Sequence, residues 1–138
     1  MSECVLSKMG FHHIALRCKD FDKSVAFYKA IGLKPCIGWG EAPKRVAMLE
    51  LGNGGRIELF EGGTGEKTES PSQSGEWFHL AIASENPDVS FEAAMNAGAT
   101  QKYAPYDMVL GSTPPTPVRL AFVCGPDGEV IEFFREKE

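Results

Sequence analysis

The sequence predicts an α+β protein made of two tandem βαβββ modules that form a curved mixed sheet. Three observations carry that prediction. The apolar run Phe11-His12-His13-Ile14-Ala15-Leu16-Arg17 is echoed by Phe78-His79-Leu80-Ala81-Ile82-Ala83, and His13 and His79 stand 66 positions apart. The match continues without a gap through the next helix, so that residues 13–35 align with 79–101. A second match, at an offset of 74, aligns 46–60 with 120–134. One such unit leaves a whole sheet face open, so two must pack together to bury it.

Each element has a local reason. Residues 1–9 are a leader without periodicity, and 11–18 read as a buried strand. Asp20 or Asp22 caps a helix whose apolar stripe is Val25, Phe27, Tyr28 and Ile31, and Gly32 followed by Pro35 ends it. A weak strand falls near 33–38. Arg45–Leu51 and Arg56–Phe60 are strands joined by Gly52-Asn53-Gly54-Gly55, a hairpin signal. Gly62 to Gly75 contains no large apolar side chain and reads as an exposed linker between module 10–61 and module 76–138.

The second half repeats the plan. Strand 77–83 leads to Asn86 as cap, Pro87 at the first helical position and a stripe of Val89, Phe91, Ala94 and Met95, closed by Gly98. A weak strand near 100–107 follows. The eight extra residues of this half fall within 102–117, and its proline-rich part, 105–117, reads as a loop over a site mouth. Val118–Cys124 and Glu129–Arg135 form the last hairpin around Gly125-Pro126-Asp127-Gly128.

Composition narrows the function classes. The 138 residues are 43% apolar and 24% charged, ordinary for a globular domain, and the net charge is −5. Without a lysine/arginine cluster, nucleic acid and anionic membranes are poor partners. No apolar run approaches the roughly 18 residues that span a bilayer, and Met1 to Lys8 has no signal-peptide core. Cys4, Cys18, Cys36 and Cys124 are scattered and read as reduced thiols, which points to the cytoplasm.

The repeat also carries chemistry. Glu58 in Ile57-Glu58-Leu59 and Glu132 in Ile131-Glu132-Phe133 each sit between large apolar residues and face away from them. Either alone reads as a solvent-facing carboxylate, and a lone strand histidine reads as structural. Their recurrence at equivalent points of both halves changes that. If two troughs face one another, His13, Glu58, His79 and Glu132 converge as a site for one divalent ion, Ni²⁺, Co²⁺ or Zn²⁺, with Mn²⁺ or Fe²⁺ also suited. Four protein ligands leave room for water or substrate on a five- or six-coordinate ion. His12 alternates to the other face and is read as structural. Phe60 and Phe134 share the parity of the glutamates, and with Trp39 and Met108 they are candidates to line an apolar pocket.

These residues resemble the vicinal oxygen chelate superfamily, and most of all glyoxalase I, over nearly everything from Met9 to Glu138. The resemblance rests on His13-Ile-Ala-Leu-Arg17 with Asp20 and Phe27-Tyr28, on the Glu58 strand, on the His79 strand, and on Glu132 behind Gly125-Pro-Asp-Gly128. It implies a lactoylglutathione lyase type of enzyme acting on a 2-oxoaldehyde–thiol hemithioacetal through an enediolate, with one divalent metal per site. Glu132 is then the main base, Glu58 shares the proton shuttle, and Arg17 clamps a substrate carboxylate. One departure is Gly62, where similar enzymes carry an asparagine that contacts glutathione. The scaffold also serves acyl-thioester epimerases, antibiotic-modifying thiol transferases, extradiol dioxygenases and non-catalytic bleomycin-binding proteins. A homodimer is expected, and the site forms either within one chain or between two.

Overall fold

The computed structural model describes residues 10–66, 74–75 and 77–138. The leader and most of the acidic, serine-rich part of the linker lie outside those residues. The first module runs β1 (His13–Cys18), α1 (Phe21–Ala30), β2 (Lys34–Trp39), β3 (Val46–Glu50) and β4 (Arg56–Glu61). The second runs β5 (Leu80–Ala83), α2 (Pro87–Asn96), β6 (Thr100–Leu110), β7 (Thr116–Cys124) and β8 (Val130–Glu136). The tandem βαβββ plan is borne out, and the mixed sheet is present as two four-stranded sheets, β1-β4-β3-β2 and β5-β8-β7-β6. In each, the first strand runs parallel to the last, which its helix crossover permits.

Helix boundaries follow the capping chemistry. The Asp20 carboxylate accepts from the Lys23 N–H at 3.1 Å, and the Asn86 side chain accepts from the Val89 N–H at 3.3 Å. Each such cap contributes about 1 kcal/mol. Gly32 and Gly98 end the helices at φ of 112° and 104°, where a side chain is strained.

A second device repeats with the modules. Arg45 at the head of β3 grips Asp22 in the first turn of α1 and Glu61 on β4, at 2.8 to 3.3 Å. Its counterpart Arg119 grips Asp88 in the first turn of α2 at 2.6 and 2.7 Å. Asp107 of β6 lies 3.3 Å from the same guanidinium. Each arginine thus fastens a helix N-terminus to its own sheet.

Both modules share one core. Phe27, Tyr28, Leu49, Ile57 and Leu59 pack in a single buried cluster with Phe91, Ala94, Val123, Ile131 and Phe133. A large apolar side chain in such a place contributes about 1.5–3 kcal/mol relative to exposure. A polar latch crosses the same boundary. Asp127, in the turn before β8, accepts from the Lys19 N–H at 2.9 Å and the Ser24 hydroxyl at 3.2 Å, while Glu129 accepts from the Tyr28 hydroxyl at 2.7 Å.

Two expectations are corrected. The stretch 105–117 is not a loop over a mouth: β6 extends to Leu110 and pairs with β7, leaving only residues 111–115 between them. Pro105 is tolerated because β6 is an edge strand and its register shifts between Tyr103 and Tyr106. The strand expected over 77–83 begins only at Leu80, where pairing with Ile131 begins, so His79 stands just before β5.

Candidate metal centre

Strand alternation splits each sheet into two faces. In the first module Ile14, Leu16, Ile57 and Leu59 point into the shared core. Residues in register on the opposite face are His13 with Arg56, Ala15 with Glu58, and Arg17 with Phe60. His13 Nε2 lies 3.3 Å from Glu58 Oε1. In the second module Ala81 is in register with Glu132 and Ala83 with Phe134, and His79 Nε2 lies 3.3 Å from Glu132 Oε1. The repeat therefore rebuilds one imidazole–carboxylate pair twice. Both carboxylates sit at the floor of their troughs, each 7% exposed, while the imidazoles at the rim stay open.

The spacing suits a shared cation. A charge-assisted hydrogen bond is usually about 2.7–2.9 Å long. Two donors each about 2.1 Å from one ion, subtending about 90–110°, stand about 3.0–3.4 Å apart. Each pair falls in the second range, and the donor set of one imidazole and one carboxylate fits a borderline divalent ion. Burial lifts the Glu132 carboxyl above its ordinary range, with the neighbouring His79 pulling the other way.

The four side chains do not converge within one chain. Among the described residues, no three His, Cys, Asp or Glu side chains are grouped to hold an ion. The physical reason is the shared core: it joins the helix-covered faces of both sheets, so each carboxylate lies on the side of its sheet away from it. The apolar candidates divide in the same way. Trp39 and Phe60 belong to the face that carries Glu58, and Met108 and Phe134 to the face that carries Glu132. Met108 lies within β6 rather than on a loop. A cavity of about 400 Å³ does lie between the modules, but none of the four ligand candidates lines it.

Around the pairs the two faces differ. The Arg17 guanidinium lies 5.8 Å from the centre of the Phe60 ring, and Arg56 reaches Met48 Sδ at 3.9 Å. Neither has a carboxylate partner among the described residues, whereas Arg45 and Arg119 each hold two. The repeat positions of Arg17 and Arg56 are Ala83 and Val130, so the second face has no such charge. It is instead aromatic, with His79, Phe122 and Tyr103 stacked edge-to-face at 5.6 Å. Exposed Ile37, Trp39, Tyr103, Tyr106 and Met108 all lie on the ligand-bearing faces.

One neighbour was missed by alternation. His12 Nδ1 stands 2.9 Å from His13 Nδ1. Position 12 precedes β1, so its ring is free to turn back over its neighbour, and the adjacent histidine pair was the only sequence signal for it. No helix among the described residues is long and apolar enough to cross a membrane.

Comparison with known proteins agrees with this architecture. A glyoxalase/dioxygenase from Nostoc punctiforme superposes with a TM-score of 0.70 at 20% identity, covering 100% of this chain and 98% of that one. A glyoxalase family protein from Enterococcus faecalis gives a TM-score of 0.70 at 19% identity, covering 91% and 97%. TioX from Micromonospora sp. ML1 gives 0.66 at 20% identity, covering 94% and 100%. At these identities the likeness establishes the fold. No curated protein matches the chain. The family model described as Glyoxalase/Bleomycin resistance protein/Dioxygenase superfamily matches residues 10–133, and the chain belongs to that superfamily.

Proposed function

We propose that this protein is a glyoxalase I-like, metal-dependent lyase whose site is assembled between two copies of the chain. The observation that carries the reading is the pairing itself: each module brings one imidazole and one carboxylate to 3.3 Å on an open face, and each pair lacks the other. His13 and Glu58 of one copy would hold a divalent ion, Ni²⁺, Co²⁺ or Zn²⁺, with His79 and Glu132 of the second. Five exposed apolar side chains on those faces support a second copy as their cover.

A bound ion of this kind supplies a Lewis acid for oxyanion charge that develops on substrate oxygens. The chain's own residues do the rest. Glu132 takes the proton from the carbon beside sulfur of a 2-oxoaldehyde–thiol hemithioacetal, and the proton returns to the neighbouring carbon to give the thioester of a 2-hydroxy acid. Glu58 shares that shuttle. Arg17 and Arg56, on either side of Glu58, favour an anionic substrate. The Trp39, Phe60, Met108 and Phe134 side chains would exclude water around it. Gly62 adopts φ of 103°, where an asparagine is strained, so a glutathione contact from that position is not expected.

Two experiments test the reading. Protein loaded with Ni²⁺, Co²⁺ or Zn²⁺ should convert the hemithioacetal of methylglyoxal with glutathione or another small thiol, and chelation should abolish turnover. No turnover with any metal and thiol sinks the lyase assignment. The assembly is tested by complementation. A variant with His13→Ala and Glu58→Ala, mixed and refolded with one carrying His79→Ala and Glu132→Ala, should regain about a quarter of the wild-type metal content, because half the dimers are mixed and each has one intact site. If the ligands instead came from one chain, the mixture would regain nothing.

A further inference from the structure

The strongest feature that the proposed chemistry leaves unused is the second histidine of the His12-His13 pair. His13 turns Nε2 towards Glu58, and its other ring nitrogen, Nδ1, lies 2.9 Å from Nδ1 of His12. The two rings meet edge to face, with centroids 5.1 Å apart and planes at 84°. The His12 backbone is itself anchored, since its carbonyl accepts from the Arg56 N–H at 3.1 Å.

A neutral imidazole has one N–H and one lone pair. If the lone pair of His13 is at Nε2, beside Glu58, its proton is at Nδ1 and requires an acceptor. His12 Nδ1 is placed to be that acceptor, with its own proton on Nε2. The second module breaks the symmetry here. Phe78 occupies the position of His12 and lies edge-on to His79, with centroids 4.9 Å apart. It offers no acceptor, and among the described residues His79 is steered by Glu132 at Nε2 and by packing against the Phe78 and Phe122 rings.

We propose that His12 is a positioning residue for His13: it accepts the Nδ1–H of His13, fixes the ring's tautomer and orientation, and makes the first-module pair the more firmly held half of the site. This rests on the reading of His13 as a metal ligand. Ring partners of this kind typically change metal affinity about 10–100-fold when removed.

The test uses the full chain and Co²⁺, with affinity read by calorimetry and ligand geometry by the visible absorption of the bound ion. His12→Phe, which copies the second module, should weaken binding by about 10–100-fold and alter the spectrum. His12→Gln, whose amide oxygen can accept the same proton, should restore most of the affinity and the wild-type spectrum. The reciprocal change Phe78→His should tighten binding. In the Zn²⁺-loaded wild type, proton–nitrogen correlation spectra should place the His13 proton on Nδ1. Wild-type affinity in His12→Phe, or equal weakening by His12→Phe and His12→Gln, overturns the hydrogen-bonding role while leaving the metal site standing. A wild type that takes up no Co²⁺ overturns the reading of the site beneath it.

Discussion

The Tyr28 hydroxyl donates to the Glu129 carboxylate at 2.7 Å, joining the helix of the first module to the final turn of the second. Internal symmetry makes this bond informative. Tyr28 corresponds to Ala94 in the second module, and Glu129 corresponds to Gly55 in the first. The latch therefore exists on one side of the module boundary only. On the other side, the cavity of about 400 Å³ opens between Leu33, Leu51, Ser84, Asn86 and Phe133. The boundary is closed by carboxylates on one flank and left open on the other.

Tyr28→Phe should therefore destabilise the whole chain rather than one module. The Glu129 carboxylate, drawn into the boundary, would lose its hydroxyl donor, and a hydrogen bond to a charged group contributes about 1.5–3 kcal/mol. Urea unfolding should show the midpoint falling with an unchanged slope. A loss confined to a separate first transition would mean that the latch does not couple the modules.

Acid titration should separate two glutamates of opposite behaviour. Burial raises the Glu129 carboxyl above its ordinary value of 4.5, partly offset by the Tyr28 hydrogen bond. Its folded value exceeds its unfolded one, so its contribution is full below about 4.5 and is lost as pH rises through the folded value. Hydrogen bonds from Arg45 hold Glu61 at about 2, so its contribution is present above 4.5 and is lost as pH falls towards 2. The stability lead of wild type over Glu129→Gln should shrink from pH 4 to pH 7, and its lead over Glu61→Gln should grow. Parallel curves would contradict both assignments.

How legible this was in sequence depends on which contacts the repeat specifies. The two offsets place one histidine and one glutamate at equivalent points of each module, and alternation assigns them faces. The pairing of β1 with β4 and of β5 with β8, which sets each histidine beside its glutamate, comes from the fold. Nor do offsets and alternation say which faces of two similar modules meet. The core here joins the helix-covered faces, and that choice keeps the pairs apart. The latch was opaque for a related reason: Asp127 and Glu129 sit in a turn that reads as solvated, and Tyr28 is 101 positions from its partner. The arginine clamps were within reach. Arg45 and Arg119 share the 74 offset, and Asp22 and Asp88 share the 66 offset, just as the ligand pairs do.

Those clamps make a prediction about geometry rather than charge. Arg119 holds Asp88 through two nitrogens at once, 2.6 and 2.7 Å from the two oxygens. Lysine keeps the charge but cannot reproduce that fork. Arg119→Lys should lower Tm nearly as far as Arg119→Ala in calorimetry, with hydrogen exchange rising first in α2, whose N-terminus would be unfastened. Full recovery of Tm by lysine would show that charge alone suffices.

Gly125 tests the latch from the opposite direction. A Cβ there would lie 2.6 Å from the Glu129 carboxyl carbon, 2.7 Å from its Oε1 and 2.8 Å from its Oε2, so its three closest contacts all belong to that one carboxylate. Gly125 does not have positive φ, so alanine is acceptable to the backbone itself. The side chain it would displace is pinned by Tyr28 and by the Asp127 N–H at 2.8 Å. Gly125→Ala should therefore cost about 1–3 kcal/mol, the usual range for overpacking. In a Glu129→Ala background the clash disappears, and the loss of chain entropy in the unfolded state should make the same change stabilising by about 0.4–1 kcal/mol. A double-mutant cycle in urea reads the sign reversal directly. Equal costs in both backgrounds would mean that Gly125 serves the turn and not the carboxylate beside it.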